Sequence, residues 1–579
     1  METVDFRQKH VATTYMKIML DKCNINVYIV ATMYVDTATI KRKDKTYTRY
    51  LLRTSYRDSG KVKHKTLLNL SSCSEDEINA VKLALKHKKK LVSLASIDSI
   101  ETVLGKRIGS VWFLKTVAEK IGLAKALGSD QSGQLAMLQV IARVANQGSR
   151  LSVVRFAKSH AVCEILEIKK LNEDDLYENL AWLSARQEAI EKKLFRHRFP
   201  GNPPTLFLYD VTSTYLEGMC NELANWGYNR DQKKGKMQIV IGLLTGLDGL
   251  PVAVRVFEGN TPDTKTVSEQ VRTLAKSFGV KDVMLVGDRG MLKGPQIKAL
   301  PDDFRYITAI TKPQIQKMLT KGVLQYELFD KTVCEVEDKG IRYVLRRNPF
   351  RAEQIALTRL SKQDSVEKIA AERTRYLAEH LRADVEKARQ RVQAKINKLK
   401  TDKWLTATVE NRVITVRKDD ETLSEVALLD GCYVIKSDVS KADADAQVLH
   451  DRYCDLENVE RAFRTMKSVH LEMRPVFVKK KESTNGHVFV VMLSLLLQRE
   501  IEKCWSELDI TVEEGLDELG AIHMQEVRLG NACIQDIPKP NKIGRQLLKN
   551  AGVSLPSVLP KTIANVDTKK KLQYERKRQ

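Results

Sequence analysis

The chain has 579 residues, enough for several domains, and its 97 Lys and Arg residues exceed its 73 Asp and Glu residues, for a formal net charge of +24. This excess predicts a polyanionic partner, most simply nucleic acid. The nine cysteines are scattered, with no Cys-x-x-Cys pair. That spacing argues against a structural zinc site and a secreted disulfide framework, so we expect a reducing, cytoplasmic compartment.

No segment is expected to span a membrane. The longest apolar run, VFVVMLSLLL at 488–497, is too short and predicts a buried helix. The first residues, METVDFRQKH, lack the apolar core of a signal peptide.

The first two hundred residues predict two regions of different character. Residues 1–105 predict an α+β region, with the β-like runs NVYIVATMYV and RYLLRTSYRDSGKVKHKTLLNL and a basic helix that ends LKHKKKLV. Residues 106–200 predict a helical domain, from SVWFLKTVAEKIGLAKALG to LYENLAWLSARQEAIEKKLFRHR. Either region is a candidate for DNA binding, and packing with solvated charges is the alternative.

Residues 201–314 predict the first part of an α/β core. Three strands (TLFLYDVTSTYLEG, then two runs joined by a turn in QIVIGLLTGLDGLPVAVRVFEGN) precede the amphipathic helix KTVSEQVRTLAKSFG. The strands DVMLVGDRGM and FRYITAIT follow. A meander followed by a helical crossover places the fourth strand parallel to the first. We therefore expect Asp210 and Asp288 on neighbouring strands, with Asp288 at a carboxyl end, where open α/β sheets hold their sites.

The remaining residues divide into three further regions. Residues 315–445 predict an insertion domain, with β-like runs and the long charged helix VEKIAAERTRYLAEHLRADVEKARQRVQAKINKLK. Residues 446–510 return to the core and hold a second helix, HVFVVMLSLLLQREIEKCW. Residues 511–579 predict a C-terminal helical region with a basic tail.

The stretch YCDLENVERAFRTMKS, residues 453–468, predicts a helix with two stripes. Its apolar stripe is suited to burial. Its second stripe holds Tyr453, Glu460 and Lys467 at intervals of seven residues, so each is displaced by only about 20° around the helix from the last. The members of the apolar stripe are Leu456, Val459, Phe463 and Met466.

Two aspartates at strand ends and a glutamate on a late helix would form a carboxylate trio. Carboxylates that lie close together repel one another, and divalent cations relieve that repulsion. Ligation by oxygen alone favours Mg²⁺ or Mn²⁺ over zinc. Two such ions suit phosphodiester chemistry on a nucleic acid that a basic surface holds.

Three motifs make this sequence resemble the DDE transposases of insertion sequences, in the cut-and-paste branch with a Tyr-x2-Arg-x3-Glu-x6-Lys signature. They are LYDVTSTYLEG, LVGDRGM and YCDLENVERAFRTMKS, the last followed by RPVF and His487. The stretches GYNRDQKKGKMQIVIGLL and FEGNTPDTKT are also similar to that family. The resemblance covers roughly residues 200–500.

The resemblance implies an α/β fold with a ribonuclease-H-like catalytic core, a β-rich and helical insertion, and a helical N-terminal region. It implies that Asp210, Asp288 and Glu460 are the catalytic residues and hold two Mg²⁺ or Mn²⁺ ions per active site. Water would attack at the terminal inverted repeat and free a 3′-hydroxyl. In this branch that hydroxyl typically attacks the opposite strand to give a hairpin end, which is reopened before transfer to target DNA.

The signature carries over onto Tyr453, Glu460 and Lys467, but Leu456 occupies the arginine position. Arg464, about one turn after Glu460, is the candidate to replace it at the phosphate. Tyr453, Arg464 and Lys467 would then position phosphates around the cut. The rival for the third metal ligand is Glu457, which lies out of register with Tyr453 and Lys467.

Two further side chains are candidate DNA contacts, each with an ordinary alternative. Arg289 is expected to touch phosphate or to form a surface salt bridge. Trp226 is expected to stack on a flipped base, or else to pack in the core or anchor its loop. His487 and His470 receive no metal role and are expected to be structural.

Each carboxylate also has an ordinary interpretation when it is taken alone. Asp210 is suited to a solvent-facing strand position or to cap the Thr-Ser-Thr turn that follows it, and Asp288 to belong to a turn. Glu460 and Arg464 are suited to an i,i+4 pair. The coincidence of all three carboxylates in one basic chain favours the catalytic interpretation.

We therefore predict a transposase that binds the terminal inverted repeats of its insertion sequence and target DNA as double strands, in the nucleoid. The alternatives are a non-catalytic DNA-binding protein derived from a transposase, and a metal-dependent endonuclease without strand transfer. Two DNA ends must be joined, so a homodimer on paired ends is expected, with residues after about 510 as candidate dimer contacts.

Overall fold

The computed structural model describes residues 32–42, 45–58, 61–86, 100–330, 333–468, 470–529, 532–560 and 564–568. The chain divides into two units: one takes the described parts of Met1–Thr102 and Val527–Ile534, the other those of Val103–Glu526 and Gln535–Gln579. The six regions predicted from the sequence are finer than this division and stay a prediction.

The first unit holds a three-stranded antiparallel sheet in the order β1-β2-β3 and one helix. The helix begins with a reciprocal cap, in which the Ser74 N–H donates to the Glu77 carboxylate (2.8 Å) and the Glu77 N–H donates to the Ser74 hydroxyl (3.3 Å). Most of the run 26–35 and the end of the predicted basic helix lie outside the described residues. The elements are β1 Thr32–Arg42, β2 Lys45–Asp58, β3 Lys61–Asn69 and α1 Glu75–Lys86.

Residues 108–198 are helical, as the sequence predicts. The longest helix, α7, begins at a capping box in which Asn172 and Asp175 each accept the backbone N–H of the other. Strand β4, Ile100–Arg107, precedes these helices, and the short strand β5, Lys170–Leu171, lies among them. The helices are α2 Gly109–Lys120, α3 Leu123–Leu127, α4 Gln131–Ala145, α5 Arg150–Ser159, α6 Val162–Ile165 and α7 Glu173–Arg198.

An eight-stranded mixed sheet follows, in the order β11-β12-β15-β10-β9-β6-β7-β8. Strand β7, with the sequence QIVIGLLT, is buried at every position, because both faces of the sheet are covered. The strands are β6 Leu206–Tyr215, β7 Gln238–Thr245, β8 Pro251–Glu258, β9 Val283–Gly287, β10 Phe304–Ala309, β11 Cys334–Asp338, β12 Ile341–Arg347 and β15 Cys432–Ser437.

The predicted meander and crossover are confirmed. Strands β6, β7 and β8 pair antiparallel, and β9 returns to pair parallel with β6, with β10 parallel to β9. The crossover helix α8, Asp263–Arg272, continues as a π-helical turn over Thr273–Phe278. Gly279 ends it in the left-handed region at φ 68°, as expected of a C-cap glycine. The short helices α9, Gly294–Lys298, and α10, Lys312–Thr320, flank β10.

The segment predicted as an insertion is not separate from the core sheet. Strand β15, near its end, pairs antiparallel with both β10 and β12, so this segment extends the sheet by three strands. A smaller part of it has its own apolar core, which includes Val366, Val392 and Trp404. That part consists of α11 Pro349–Glu379, α12 Val385–Lys398, β13 Leu405–Glu410, β14 Val413–Lys418 and α13 Asp420–Ala427.

The long charged helix predicted within this segment is two helices. Helix α11 ends at Glu379, and α12 begins after Asp384, whose carboxylate accepts the Lys387 N–H at 3.1 Å. The periodic charge pattern continues through the break, so it does not reveal the N-cap, although Asp384 is a residue type that favours one.

The C-terminal part contains the apolar helix predicted from VFVVMLSLLL, which lies within α16, Lys481–Cys504, and is buried over most of its length. The region after residue 510, predicted as a C-terminal helical region, holds helices and also strands, because alternating stretches such as HMQEVRL form strands. Within the described residues, no helix is both long enough and apolar enough to cross a membrane. The other elements are α14 Ala446–Cys454, α15 Leu456–Lys467, α17 Val512–Gly520, β16 His523–Leu529, β17 Ala532–Asp536, α18 Lys542–Asn550 and β18 Asn565–Val566.

Helix α16 packs against α7 at a glycine. A Cβ atom on Gly486 would lie 2.1 Å from the backbone oxygen of Leu180, so only glycine allows this approach. Gly486→Ala is expected to lower the free energy of unfolding by about 1–3 kcal/mol, because the two helices must move apart. The measurement is urea unfolding followed by circular dichroism.

Gly520→Ala is the matched control for this prediction. Gly520 also lies in a helix, but the nearest atom to an added Cβ is the Ser110 hydroxyl at 3.8 Å, an ordinary contact. This variant is expected to be neutral or more stable by up to about 1 kcal/mol. Equal losses in both variants would contradict the close-packing account.

Candidate active site

Asp210 and Asp288 lie side by side because two parallel strands are in register. Tyr209 of β6 pairs with Gly287 of β9, and Asp210 and Asp288 are the residues that directly follow this pair in the sequence. Side chains at paired positions of parallel strands point to the same face. The two carboxylates therefore emerge together from one face, at the carboxyl end of β9.

That face is the one on which helix α15 packs. Residues two positions earlier, Leu208 on β6 and Val286 on β9, belong to the same apolar core as Val459 and Phe463 of α15. Since alternate residues of a strand share a face, Asp210 and Asp288 face the helix too. Glu460 follows the buried Val459 and is exposed on α15.

The pKa of Asp210 depends on the other two carboxylates. Burial raises the pKa of Asp210 to about 7, and the negative charges of Asp288 and Glu460 add to this effect. The Val211 N–H, which donates to Asp210 Oδ1 at 2.7 Å, and the positive charge of Arg230 oppose it. The three carboxylates thus form one electrostatic group, in which an added cation would favour the charged form of Asp210.

A cleft of about 510 Å³ opens onto the trio. Glu457 also lines it, so the cleft alone does not separate this rival from Glu460. Leu456, at the position of the signature arginine, brings an apolar side chain to the wall. The lining residues are Asp210, Asp288, Asn348, Tyr433, Tyr453, Cys454, Leu456, Glu457 and Glu460.

Tyr453 and Asp288 lie together in the cleft lining. Burial raises the pKa of the Tyr453 hydroxyl, and the negative charge of Asp288 raises it further. A phenol with a raised pKa stays protonated, so Tyr453 offers a hydrogen-bond donor beside the Asp288 carboxylate.

The helix predicted over 453–468 is interrupted. Helix α14 ends at Cys454 and α15 begins at Leu456, with Asp455 between them. Tyr453 and Glu460 therefore reach the cleft from two successive helices. The apolar stripe is confirmed, since Val459, Phe463 and Met466 are buried.

Lys467 is not among the residues that line the cleft, and its phosphate contact stays a prediction. Its ammonium donates to Thr212 Oγ1 (2.7 Å), to the Ser213 carbonyl (2.5 Å) and to Asp231 Oδ1 (3.0 Å). Only 11% of its side chain is exposed, and 3% of that of Asp231. Burial lowers the pKa of Lys467, and Asp231 opposes this. Lys467 therefore ties the end of α15 to strand β6, beside Asp210.

The other predicted DNA contacts lie outside the cleft lining. Arg289 is exposed, and its charge acts on Tyr453, which places it near the cleft. Arg464 is exposed on α15. Trp226 is 55% exposed, so packing in the core is excluded for it.

Neither His487 nor His470 lines the cleft. His487 is buried and hydrogen-bonded to the Met473 carbonyl at 3.1 Å. His470 contacts the Glu513 carboxylate at 2.5 Å.

A polar network that was not predicted from the sequence borders the cleft through Tyr433. His450 Nδ1 lies 3.0 Å from an Asp451 oxygen, which can only accept, so Nδ1 carries the proton. The single acceptor lone pair of His450 Nε2 then faces both the Tyr433 hydroxyl (2.6 Å) and the Arg346 guanidinium (2.9 Å). In the sequence, only the position of His450, one turn before Cys454 on α14, could have indicated this network. Asn348, also missed, lines the cleft and caps α11, where its side chain accepts the Arg351 N–H.

The trio suits a hard cation by its donor chemistry, since all its donors are carboxylate oxygens. Burial is the main cause of the raised pKa of Asp210, and the negative charges of Asp288 and Glu460 add to it, so a cation at this place would offset both effects. Within the described part of the chain, no group of three or more His, Cys, Asp or Glu side chains is arranged to hold a metal ion as it stands.

Comparison with known proteins places the site within a matched region. The IS1634 family transposase N-terminal domain matches residues 35–96, and the transposase DDE domain matches residues 201–497. Among solved structures, the chain is similar to the cryo-EM structure of a piggyBac transposase synaptic complex with hairpin DNA. The identity is 9% and the TM-score 0.33, over 71% of this chain and 78% of that chain. A search of curated proteins found no match.

Proposed function

The chain belongs to the family of transposases with a DDE domain, and we propose that it cleaves the ends of its own insertion sequence and joins them to target DNA. The observation that carries this proposal is the meeting of Asp210, Asp288 and Glu460 at one cleft. The parallel register of β6 and β9 brings the two aspartates together, and the packing of α15 on the same face brings the glutamate.

We infer that the sheet contains a ribonuclease-H-like core. Strands β6, β7 and β8 form its antiparallel meander, α8 its crossover, and β9 and β10 its parallel strands. The order β8-β7-β6-β9-β10 within the larger sheet supports this inference. Strands β15, β12 and β11 extend the core on the β10 side.

In the proposed mechanism Asp210, Asp288 and Glu460 are the residues that hold two Mg²⁺ or Mn²⁺ ions. When bound, the ions supply Lewis-acid activation of a water or a 3′-hydroxyl and stabilise the leaving oxygen of the phosphodiester. The side chains of the protein contribute by positioning the carboxylates. Tyr453 presents a protonated hydroxyl beside Asp288, and Lys467 fixes the end of α15 against β6.

DNA is the proposed partner, as terminal inverted repeats and as target. The net charge of +24 favours a polyanion, and Arg289 and Arg464 are exposed on elements that carry the trio. Trp226, also exposed, is a candidate platform for an unpaired base. Assembly as a homodimer on paired ends and location in the cytoplasm, at the nucleoid, remain part of the proposal.

The proposal is tested by incubating the protein with DNA that carries both ends of the element that encodes it, with and without Mg²⁺. We expect cuts at the element's ends and joined products with Mg²⁺. With a chelator we expect neither product, while binding to the same DNA persists. Sequencing gels resolve the cut position, and a plasmid target reveals joining.

Other results would favour the alternatives. Cutting without joined products would indicate a metal-dependent endonuclease. Binding with no cutting at any Mg²⁺ or Mn²⁺ concentration would indicate a DNA-binding protein that has lost catalysis, with the apolar Leu456 in the cleft wall as the first residue to examine.

A further inference from the structure

A second cavity, of about 310 Å³, lies in the helical part of the second unit and shares no lining residue with the candidate active site. We call it the arginine cavity. Liquid water would fill it with about ten molecules, so it has room for a phosphate group. Helices α4, α7 and α16, the first turn of α5 and the segment that joins α15 to α16 line it, through Arg143, Arg150, Tyr177, Glu472, Phe477 and His487 among others.

Arg150 is a buried cation with few partners. It is 5% exposed, and its Nε has no hydrogen-bond partner among the residues that the structure describes. One terminal nitrogen lies 3.3 Å from His487 Nδ1. The other ring nitrogen of His487 faces the Met473 carbonyl and so carries the proton, which leaves Nδ1 as a neutral acceptor.

The charges that face the cavity do not balance. Arg143, 4% exposed, lies 3.6 Å from the Glu472 carboxylate, whose other partner is the Gly148 N–H. His487 is neutral, because burial and the two nearby arginines lower its pKa well below the usual range. Burial lowers the pKa of Arg150 to about 9, so it stays charged at neutral pH. Two guanidinium groups therefore face one carboxylate.

An anion in the cavity would relieve this imbalance. An unpaired buried charge destabilises the folded state, and a bound oxyanion would supply both the missing charge and the missing hydrogen-bond acceptors. The cavity also faces the N-terminus of α5, Arg150–Ser159, where the helix dipole and free N–H groups favour negative charge.

The rim of the cavity is aromatic. Tyr177 is 46% exposed and Phe477 is 69% exposed, and both line it. Exposed aromatic rings beside a phosphate-sized cationic cavity suit a nucleotide unit, with the phosphate inside and a base stacked at the rim.

We propose that the arginine cavity binds a phosphate group of a nucleic-acid strand, with Arg150 as the principal ligand and Phe477 as a stacking platform for an adjacent base. This inference rests on the proposed function only for the source of the phosphate. It assigns a DNA contact away from the cleft, so it can hold or fail independently of catalysis.

The first measurement is the midpoint of thermal unfolding of the full chain in phosphate and in chloride buffers of equal ionic strength. Phosphate is expected to raise the midpoint of the wild type and of Arg155→Gln more than that of Arg150→Gln. Arg155 is the matched control, since it lies on the same helix and is exposed. Comparison with Arg155→Gln also corrects for the general stabilising effect of phosphate as an excluded salt.

The second measurement is binding to single-stranded and double-stranded oligonucleotides over a range of salt concentrations. Arg150→Gln is expected to weaken binding about tenfold and to reduce the salt slope by about one phosphate contact. Phe477→Ala, an exposed position, is expected to fold normally and to weaken single-strand binding. Cleavage is not needed for either readout, so an inactive protein still tests the cavity.

Three outcomes would overturn the proposal. No extra stabilisation of the wild type by phosphate would show that the cavity does not take the anion, whatever the variants do. Specific stabilisation by phosphate with unchanged DNA affinity in both variants would assign the cavity to free phosphate rather than to a strand. Equal destabilisation of Arg150→Gln in both buffers, with unchanged DNA binding, would make Arg150 a packing residue.

Discussion

Asp210→Asn, Asp288→Asn and Glu460→Gln are each expected to reduce DNA cleavage by at least about 10³-fold while binding to the same DNA is retained. Each change keeps the size of the side chain and removes the negative charge that the proposed ions require. The measurement is the rate of cutting at the element's end in Mg²⁺, with a gel-shift assay of each variant alongside.

Glu457→Gln is the matched control for this series. Glu457 lies on the same helix as Glu460, is exposed, and lines the same cleft. We expect this variant to cut at a rate close to that of the wild type. If Glu457→Gln fails to cut and Glu460→Gln cuts normally, the third ligand is Glu457. If all four variants cut like the wild type, the cleft is not the active site.

Asp231→Ala is expected to lower the free energy of unfolding by about 3–5 kcal/mol, because it leaves the buried Lys467 ammonium without a carboxylate. Asp231 Oδ1 accepts from Lys467 (3.0 Å) and from Arg474 (2.6 Å). Lys467→Met is expected to cost less, since Asp231 keeps Arg474. The measurement is urea unfolding of each variant, followed by circular dichroism.

A double variant and an exposed pair provide the controls. Asp231→Ala combined with Lys467→Met is expected to be more stable than Asp231→Ala alone, because the unpaired cation is gone. Glu217→Ala removes an ion pair to Lys236 whose side chains are 38% and 39% exposed, and its cost is expected to stay below about 1 kcal/mol. If Asp231→Ala lowers the free energy of unfolding no more than Glu217→Ala does, the assignment of a buried, stabilising ion pair between Asp231 and Lys467 is contradicted.

The sequence predicted those parts of the site that depend on local pattern. Strand β6 and the strand before Asp288 are short apolar runs bounded by turns, and the meander rule then makes them neighbours. Glu460 follows from its place beside the apolar stripe of α15, which packs on the sheet. The likeness to a transposase rested on the same three stretches and is matched over residues 201–497.

The sequence did not predict which distant residues contact the side chains of the site. The interval of seven residues places Lys467 in line with Glu460, but it does not show that Asp231, from a polar loop more than two hundred residues earlier, meets the ammonium. Periodicity also does not reveal the one-residue break at Asp455, because that residue keeps helical dihedral angles. The partnership of Tyr433 with His450 depends on the long-range pairing of β15, which no local pattern reports.

The pairing of β12 with β15 allows the segment between these two strands to be replaced by another without change to the sheet. The chain leaves the sheet at Arg347 and returns at Cys432, and these two residues are cross-strand partners. The intervening helices and hairpin bury their own apolar residues, so they form an accessory module on a two-strand stem. A tight turn in their place would close the same sheet, and a different module on the same stem would leave the register that holds Asp210 beside Asp288 untouched. Divergence in size and content is therefore expected to be concentrated at this point of the architecture.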